Sequence, residues 1–215
     1  KTFTIAAGFN EKLIEPKDMF NNLEKKIKCG GRTISEYDED LSQNLSVEEI
    51  LINSGNIGSV KIGQKLGVDK VRNFLNQIGI LGNIKFDITE VGTPIPFSWG
   101  KCKLLTVSFG HGITTTLLQL AKGYAIISNG GYEITPTLVK GKNINYVKKR
   151  RVLNKDVSLK ITQILRKVVT EGTASLADVK WYDVGGKTGT ALIVENGKYT
   201  KKKINTFASI FPTIE

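Results

Sequence analysis

Gly185-Gly186-Lys187-Thr188-Gly189-Thr190-Ala191-Leu192-Ile193-Val194 can be read in two ways, and the choice decides the fold. A phosphate-binding loop would need a glycine five residues before Gly186, where Trp181 stands, and its Lys-Thr pair would open a helix. Here an apolar, β-branched run continues instead. The stretch therefore reads as a strand whose small residues let an extended backbone lie against it, with one ammonium and two hydroxyls facing a groove. A peptide ending in a carboxylate suits such a surface.

Residues 182–194 and 204–211 alternate, favour β-branched and aromatic types, and flank Asn196-Gly197, the strongest short hairpin signal. They predict two antiparallel strands. A two-stranded ribbon is marginal by itself, so the parent sheet is expected to hold more strands than these 215 residues supply. Upstream, apolar spacings of three and four predict helices over 2–14, 57–66, 70–78 and 157–170. A nearly all-apolar helix is expected over 114–128, ended by Asn129-Gly130-Gly131. Ser46, with Glu49 three residues on, forms a capping box for a short helix over 47–52. Residues 15–44 carry Pro16, Gly30, Gly31 and scattered charge and read as an irregular excursion, and 82–109 as mostly loop.

The composition, 40% hydrophobic and 24% charged, is that of a globular chain with a packed core. No apolar run approaches the roughly 20 residues of a membrane-spanning helix. Lys and Arg exceed Asp and Glu by 31 to 20, a net charge of +11 that raises nucleic acid or an acidic polymer as a partner. The excess gathers in Lys140, Lys142, Lys148, Lys149, Arg150 and Arg151, then in Lys198, Lys201, Lys202 and Lys203. Both runs lie in turn-rich stretches and read as solvated surface, so nucleic acid is not the expected partner. The single histidine and two cysteines cannot complete a structural zinc site, and no metal or cofactor is expected. Whether Cys29 and Cys102 are bridged stays open, since that needs Cα atoms within about 7 Å. His111 reads as a loop side chain, and Trp99 and Trp181 as packing residues.

Ser54-Gly55-Asn56 falls between two predicted helices and by itself reads first as a capping turn. The functional alternative is a hydroxyl and a carboxamide projecting from one tight turn into a cleft. Together with Lys187-Thr188-Gly189 it resembles the S-x-N and K-T-G elements of the penicillin-binding protein and serine β-lactamase superfamily. Residues 45–67, with SVEEILINSGNIGSVKIGQKLG from Ser46 on, resemble the segment around the second element in the monofunctional, class B enzymes of cell division and elongation. Residues 108–131 (SFGHGITTTLLQLAKGYAIISNGG) resemble that family's Gly-x-Gly-Ile loop and following helix, and Glu171-Gly172-Thr173-Ala174 fits as well. Leu117 stands where relatives commonly place proline, a helix start at which proline helps without being required. Lys1 aligns with the lysine of S-x-x-K. Its serine would stand three residues upstream, so residues 1–215 read as a partial transpeptidase domain cut at both ends.

The resemblance implies an α/β (α+β) penicillin-recognising fold, an antiparallel sheet flanked by helices, incomplete in this chain. It implies serine D,D-transpeptidase chemistry on D-Ala-D-Ala stem peptides of peptidoglycan, with β-lactams as covalent inhibitors, at the periplasmic face of the bacterial inner membrane. Lys1 would activate the serine, Ser54 would relay protons, Asn56 would hold the substrate's side-chain amide, and Lys187 would add positive charge. Thr188, Gly189 and Thr190 would bind the substrate, with the Thr190 backbone N–H forming half of an oxyanion hole. The chain without its serine would take no acyl group, and its exposed strand edges would promote self-association. A β-lactamase or D,D-carboxypeptidase shares the first half-reaction and stays open, as does a non-catalytic basic binding module. The mechanism requires Ser54 and Lys187 to share one cleft with Lys1, because no proton moves directly across about 10 Å. The Asn56 amide, Thr188 and Thr190 should face the same cleft.

Overall fold

The computed structural model describes residues 1–89, 91–140, 150–195 and 198–213. The chain opens on α1 (Thr2–Asn10) and runs through four short strands, β1 (Met19–Phe20), β2 (Lys26–Cys29), β3 (Arg32–Ser35) and β4 (Leu45–Ser46). Helices follow: α2 (Val47–Ile52), α3 (Asn56–Leu66), α4 (Val68–Gln77), α5 (Lys101–Ser108), α6 (Leu117–Ser128) and α7 (Lys155–Thr170). A 3-10 turn at Ser175–Ala177 leads into β5 (Gly185–Glu195) and β6 (Lys198–Ile210). The strands pair antiparallel as β1 with β4, β2 with β3 and β5 with β6. Among the described residues no helix is long and apolar enough to cross a membrane.

α1 is apolar around most of its circumference, with Ile5 and Ala6 wholly buried, and such a helix belongs in the interior. It packs against α2, α3, α4 and α7. α7 turns Val157, Ile161, Ile164, Leu165 and Val168 inward, the face its spacing predicted, and the β5–β6 ribbon lies against it. α3 and α5 approach so closely that a Cβ on Gly63 would come within 1.8 Å of Ser108 Oγ. Only glycine fits there. The result is one contiguous core with the ribbon laid over it and a cleft between ribbon and helices.

Several expectations are corrected. The first helix ends at Asn10 rather than 14, because Lys12 adopts a left-handed φ of 55° and the chain turns back. Residues 15–44 are not irregular throughout. They fold into the β2–β3 hairpin, which turns at Gly30 and Gly31 with φ of 55° and 74°, and they supply β1, which pairs with β4. Residues 82–109 contain α5, which has no side-chain N-cap because Gly100 precedes it, and whose buried apolar residues are Leu104, Leu105 and Val107. The helix expected over 114–128 begins at Leu117, after a capping box in which Thr116 Oγ1 accepts from Gln119 N and Gln119 Oε1 accepts from Thr116 N. Its burial is partial: Leu117, its first residue, is 79% exposed. Trp181 is exposed rather than packed. β5 begins at Gly185, three residues later than expected.

Asn196-Gly197 and Lys142, Lys148 and Lys149 lie outside the described residues. Lys140, Arg150, Arg151, Lys201, Lys202 and Lys203 are exposed, the solvated surface their setting predicted. Cys29 and Cys102, left open by sequence, are joined, with Cα atoms 5.6 Å apart. The bond ties the β2–β3 hairpin to α5.

Candidate active site

The helical wall of the cleft is built on a chain reversal. α2 ends at Ile52 with Asn53 as its C-cap, and Ser54 takes a left-handed φ of 61°. Ser54 N–H donates to Leu51 O at 3.3 Å and Gly55 N–H to Ile50 O at 2.8 Å, the paired bonds of a Schellman motif. Glycine is the usual residue at that left-handed position, since a Cβ there costs roughly 1–2 kcal/mol. Ser54 bears this cost at the edge of the cleft. α3 begins two residues later at Asn56. Asn56 and Ile57 donate their backbone N–H groups to the Glu36 carboxylate, and Asn56 Nδ2 donates to Ser35 O at 2.8 Å.

The opposite wall is β5. Lys187 is 7% exposed. Its ammonium donates to Thr173 Oγ1, to Thr188 Oγ1 and to Thr188 O, each at 3.3 Å, and the Thr173 and Thr188 hydroxyls are 3.0 Å apart. Thr190 pairs with Asn205 of β6 and donates its hydroxyl to Asn205 Oδ1 at 3.1 Å. The β5 side chains thus present one buried ammonium beside a cluster of hydroxyls.

Lys1 closes the end of the cleft. Its Nζ donates to Phe109 O at 3.4 Å and lies 5.8 Å from the Phe109 ring, while Thr4 Oγ1 binds Ser108 O at 2.8 Å, so the start of α1 is pinned to the end of α5. Burial lowers the Lys1 ammonium to about 8, against an opposing pull from the Glu36 carboxylate. Burial, and then the charge of Lys1, lower Lys187 to about 7. Both shifts favour loss of a proton from one of the two ammonium groups near neutral pH.

Lys1, Ser54, Asn56, Lys187, Thr188, Gly189 and Thr190, the seven residues singled out by sequence, all line this one cleft of about 1050 Å³. Ser54 and Lys187 therefore line the same cleft. Two side chains differ in aim from what was expected: the Asn56 amide nitrogen is engaged by Ser35 O, and the Thr190 hydroxyl by Asn205 across the ribbon. Sequence reasoning missed Thr173, Glu36 and Phe109 as parts of the wall. Thr173 had a signal, its place in Glu171-Gly172-Thr173-Ala174. Glu36 had none. His111, read as an ordinary loop side chain, also lines the cleft and stacks on Phe109 at 5.8 Å; burial, then Arg32 and Lys103, hold its pKa below the usual range.

Comparison with known proteins points the same way. Residues 1–215 match the family model described as the penicillin binding protein transpeptidase domain. A protein named probable peptidoglycan D,D-transpeptidase PenA, from Neisseria flavescens, is 30% identical over 217 residues, 99% of this chain and 53% of that protein. Stage V sporulation protein D of Bacillus subtilis is 34% identical over 222 residues, 93% of this chain and 33% of that protein. The chain thus spans a third to a half of the length of these two curated relatives. Among solved structures, the transpeptidase domain of Burkholderia pseudomallei penicillin-binding protein 3 superposes with a TM-score of 0.90 at 25% identity, covering 99% of this chain and 65% of that one. With the lysines, the serine turn and the K-T-G strand gathered in one cleft, this chain belongs to the penicillin-binding protein transpeptidase domain family.

Proposed function

We propose that the complete protein is a peptidoglycan D,D-transpeptidase that works through a serine acyl-enzyme, with D-Ala-D-Ala stem peptides as substrates and β-lactams as covalent inhibitors. The observation that carries this reading is the cleft itself, which Ser54 lines together with Lys1 and Lys187, two lysines whose pKa values burial lowers. The nucleophile is the serine of S-x-x-K, three residues before Lys1. A substrate carboxylate beside Lys187 and Thr188 holds the shared proton on Lys187, and repulsion then keeps Lys1 neutral and able to take the serine proton. The serine oxygen bonds to the scissile carbonyl carbon, the bond to the terminal D-Ala nitrogen breaks, and Ser54 passes the proton to that leaving amine. An acceptor amine then attacks the ester and restores the serine.

Asn56 holds the substrate's side-chain amide with its carbonyl oxygen and the amide hydrogen not taken by Ser35. The backbone N–H groups of Thr190 and of the nucleophile stabilise the oxyanion. The Cys29–Cys102 bond suits an oxidising compartment, and the periplasmic face of the inner membrane is the location we assign. The outer edges of the β5–β6 ribbon are the surface through which the isolated chain would self-associate.

The test is to treat the complete gene product with a fluorescent penicillin and map the adduct by intact mass and peptide analysis. One acyl group on the serine three positions before Lys1, with D-Ala released to an added amine acceptor, is the expected result. No adduct, or an adduct on Ser54, overturns the assignment, and release to water alone makes the enzyme a hydrolase.

A further inference from the structure

We propose that Glu36 is a positioning residue of this active site, holding the Ser54-Gly55-Asn56 turn in the geometry acyl transfer needs. The inference rests on the transpeptidase reading. α3 begins at Asn56 behind Gly55, which has no side chain to accept the first unpaired N–H groups of the helix. A residue 20 positions upstream fills the gap. Glu36 Oε2 accepts from Asn56 N–H and Oε1 accepts from Ile57 N–H at 2.8 Å, and a carboxylate at a helix N-terminus is further favoured by the helix dipole.

Ser35 O takes the Asn56 side-chain nitrogen, so two consecutive residues hold both the backbone and the side chain of Asn56. Their own place is held from both sides. Upstream, they end β3, whose hairpin is bonded to α5 through Cys29 and Cys102, and α5 leads to Phe109, which binds Lys1. Downstream, the exposed Tyr37 ring lies 5.6 Å from Lys203 Nζ on β6, a weak contact with the ribbon. Glu36 is half-buried and lines the cleft itself, and its charge acts on Lys1. A cap serving only helix stability could sit on any helix. This one holds the turn that carries Ser54 and faces the proposed base.

The experiment compares Glu36→Ala, Glu36→Gln and Lys61→Ala in the complete protein, separating the acylation rate constant at saturating labelled penicillin from the dissociation constant of the first complex. Lys61→Ala cuts another tie between the same segments, the 2.8 Å ion pair with Glu24, without touching the turn. Glu36→Ala is expected to lower the acylation rate constant at least about 10-fold, since small misplacements of reacting groups are costly. Glu36→Gln, which keeps one acceptor oxygen, recovers part of it. Lys61→Ala stays within about twofold, as removal of an exposed pair should. Glu36→Ala acylating at the wild-type rate overturns the inference alone, and so does a loss in Lys61→Ala as large as in Glu36→Ala. A wild-type protein that takes no label removes the transpeptidase reading and this inference with it.

Discussion

On the ribbon side of the cleft, Lys187 sits in a regular ladder, opposite Ala208, and its ammonium binds Thr188 beside it on the strand and Thr173 14 residues upstream. On the helical side, Ser54 sits at φ 61°, and the helix that follows is capped by a carboxylate 20 residues upstream. The hairpin bearing that carboxylate is bonded to a helix 73 residues away. A strand places alternate side chains by its own period, whatever surrounds it. A strained turn holds only while remote contacts over-determine it. The two walls should therefore fail differently when perturbed.

The largest effect is expected at Ser54. Ser54→Gly relieves the left-handed strain and should stabilise the fold by about 1 kcal/mol in denaturant titration, yet lower penicillin acylation roughly 100-fold or more if the hydroxyl relays protons. A variant both less stable and equally active would reverse the account of the helical wall. Next, replacing Cys29 and Cys102 together with alanine should cost about 4 kcal/mol by the loop-closure estimate for a 73-residue separation. Hydrogen exchange should quicken at the Asn56 and Ile57 amides while β5–β6 amides keep their protection. Equal loosening of both walls would erase the contrast between them.

Lys187→Met should lower acylation by about 100-fold, an electrostatic loss comparable to removing one oxyanion donor. Its melting temperature should hold or rise, because a buried ammonium of lowered pKa is a burden to the folded state. A marked fall in melting temperature would make Lys187 a structural anchor instead. The smallest effect is in pH. Lys187 and Lys1 have folded values of about 7 and 8, below the ordinary lysine value, so the folded protein binds fewer protons than the unfolded one from about pH 7 to pH 10. Their contribution therefore makes stability rise with pH across that window, and the penalty is fully present below it. Denaturation midpoints at pH 6.5 and 9, in wild type and Lys187→Met, check this: the difference between the two proteins should narrow at the higher pH.

Much of the site was legible in the sequence for the same reason that its ribbon wall is robust. The Lys187-Thr188-Gly189-Thr190 stretch carries its β period in its own residues, and the helix over 157–170 carries its buried face in Val157, Ile161, Ile164, Leu165 and Val168. The Ser46–Glu49 capping box was likewise local and formed as read. α5 was missed because three buried apolar residues behind an uncapped Gly100 give too short a pattern. The Thr116–Gln119 box was present in the sequence and would have set the start of α6 correctly.

Neighbours along the chain carried the signals for the family, the ribbon and seven of the residues that line the cleft. Packing between distant segments is what lets Glu36 cap the helix of Asn56, Cys29 meet Cys102, and Thr173 bind Lys187. Those contacts join residues with no shared period or motif. Their free energy comes from groups brought together by packing, from orphan N–H groups that must find an acceptor and a buried ammonium that must find hydroxyls, and such demands exist only once the fold has removed water.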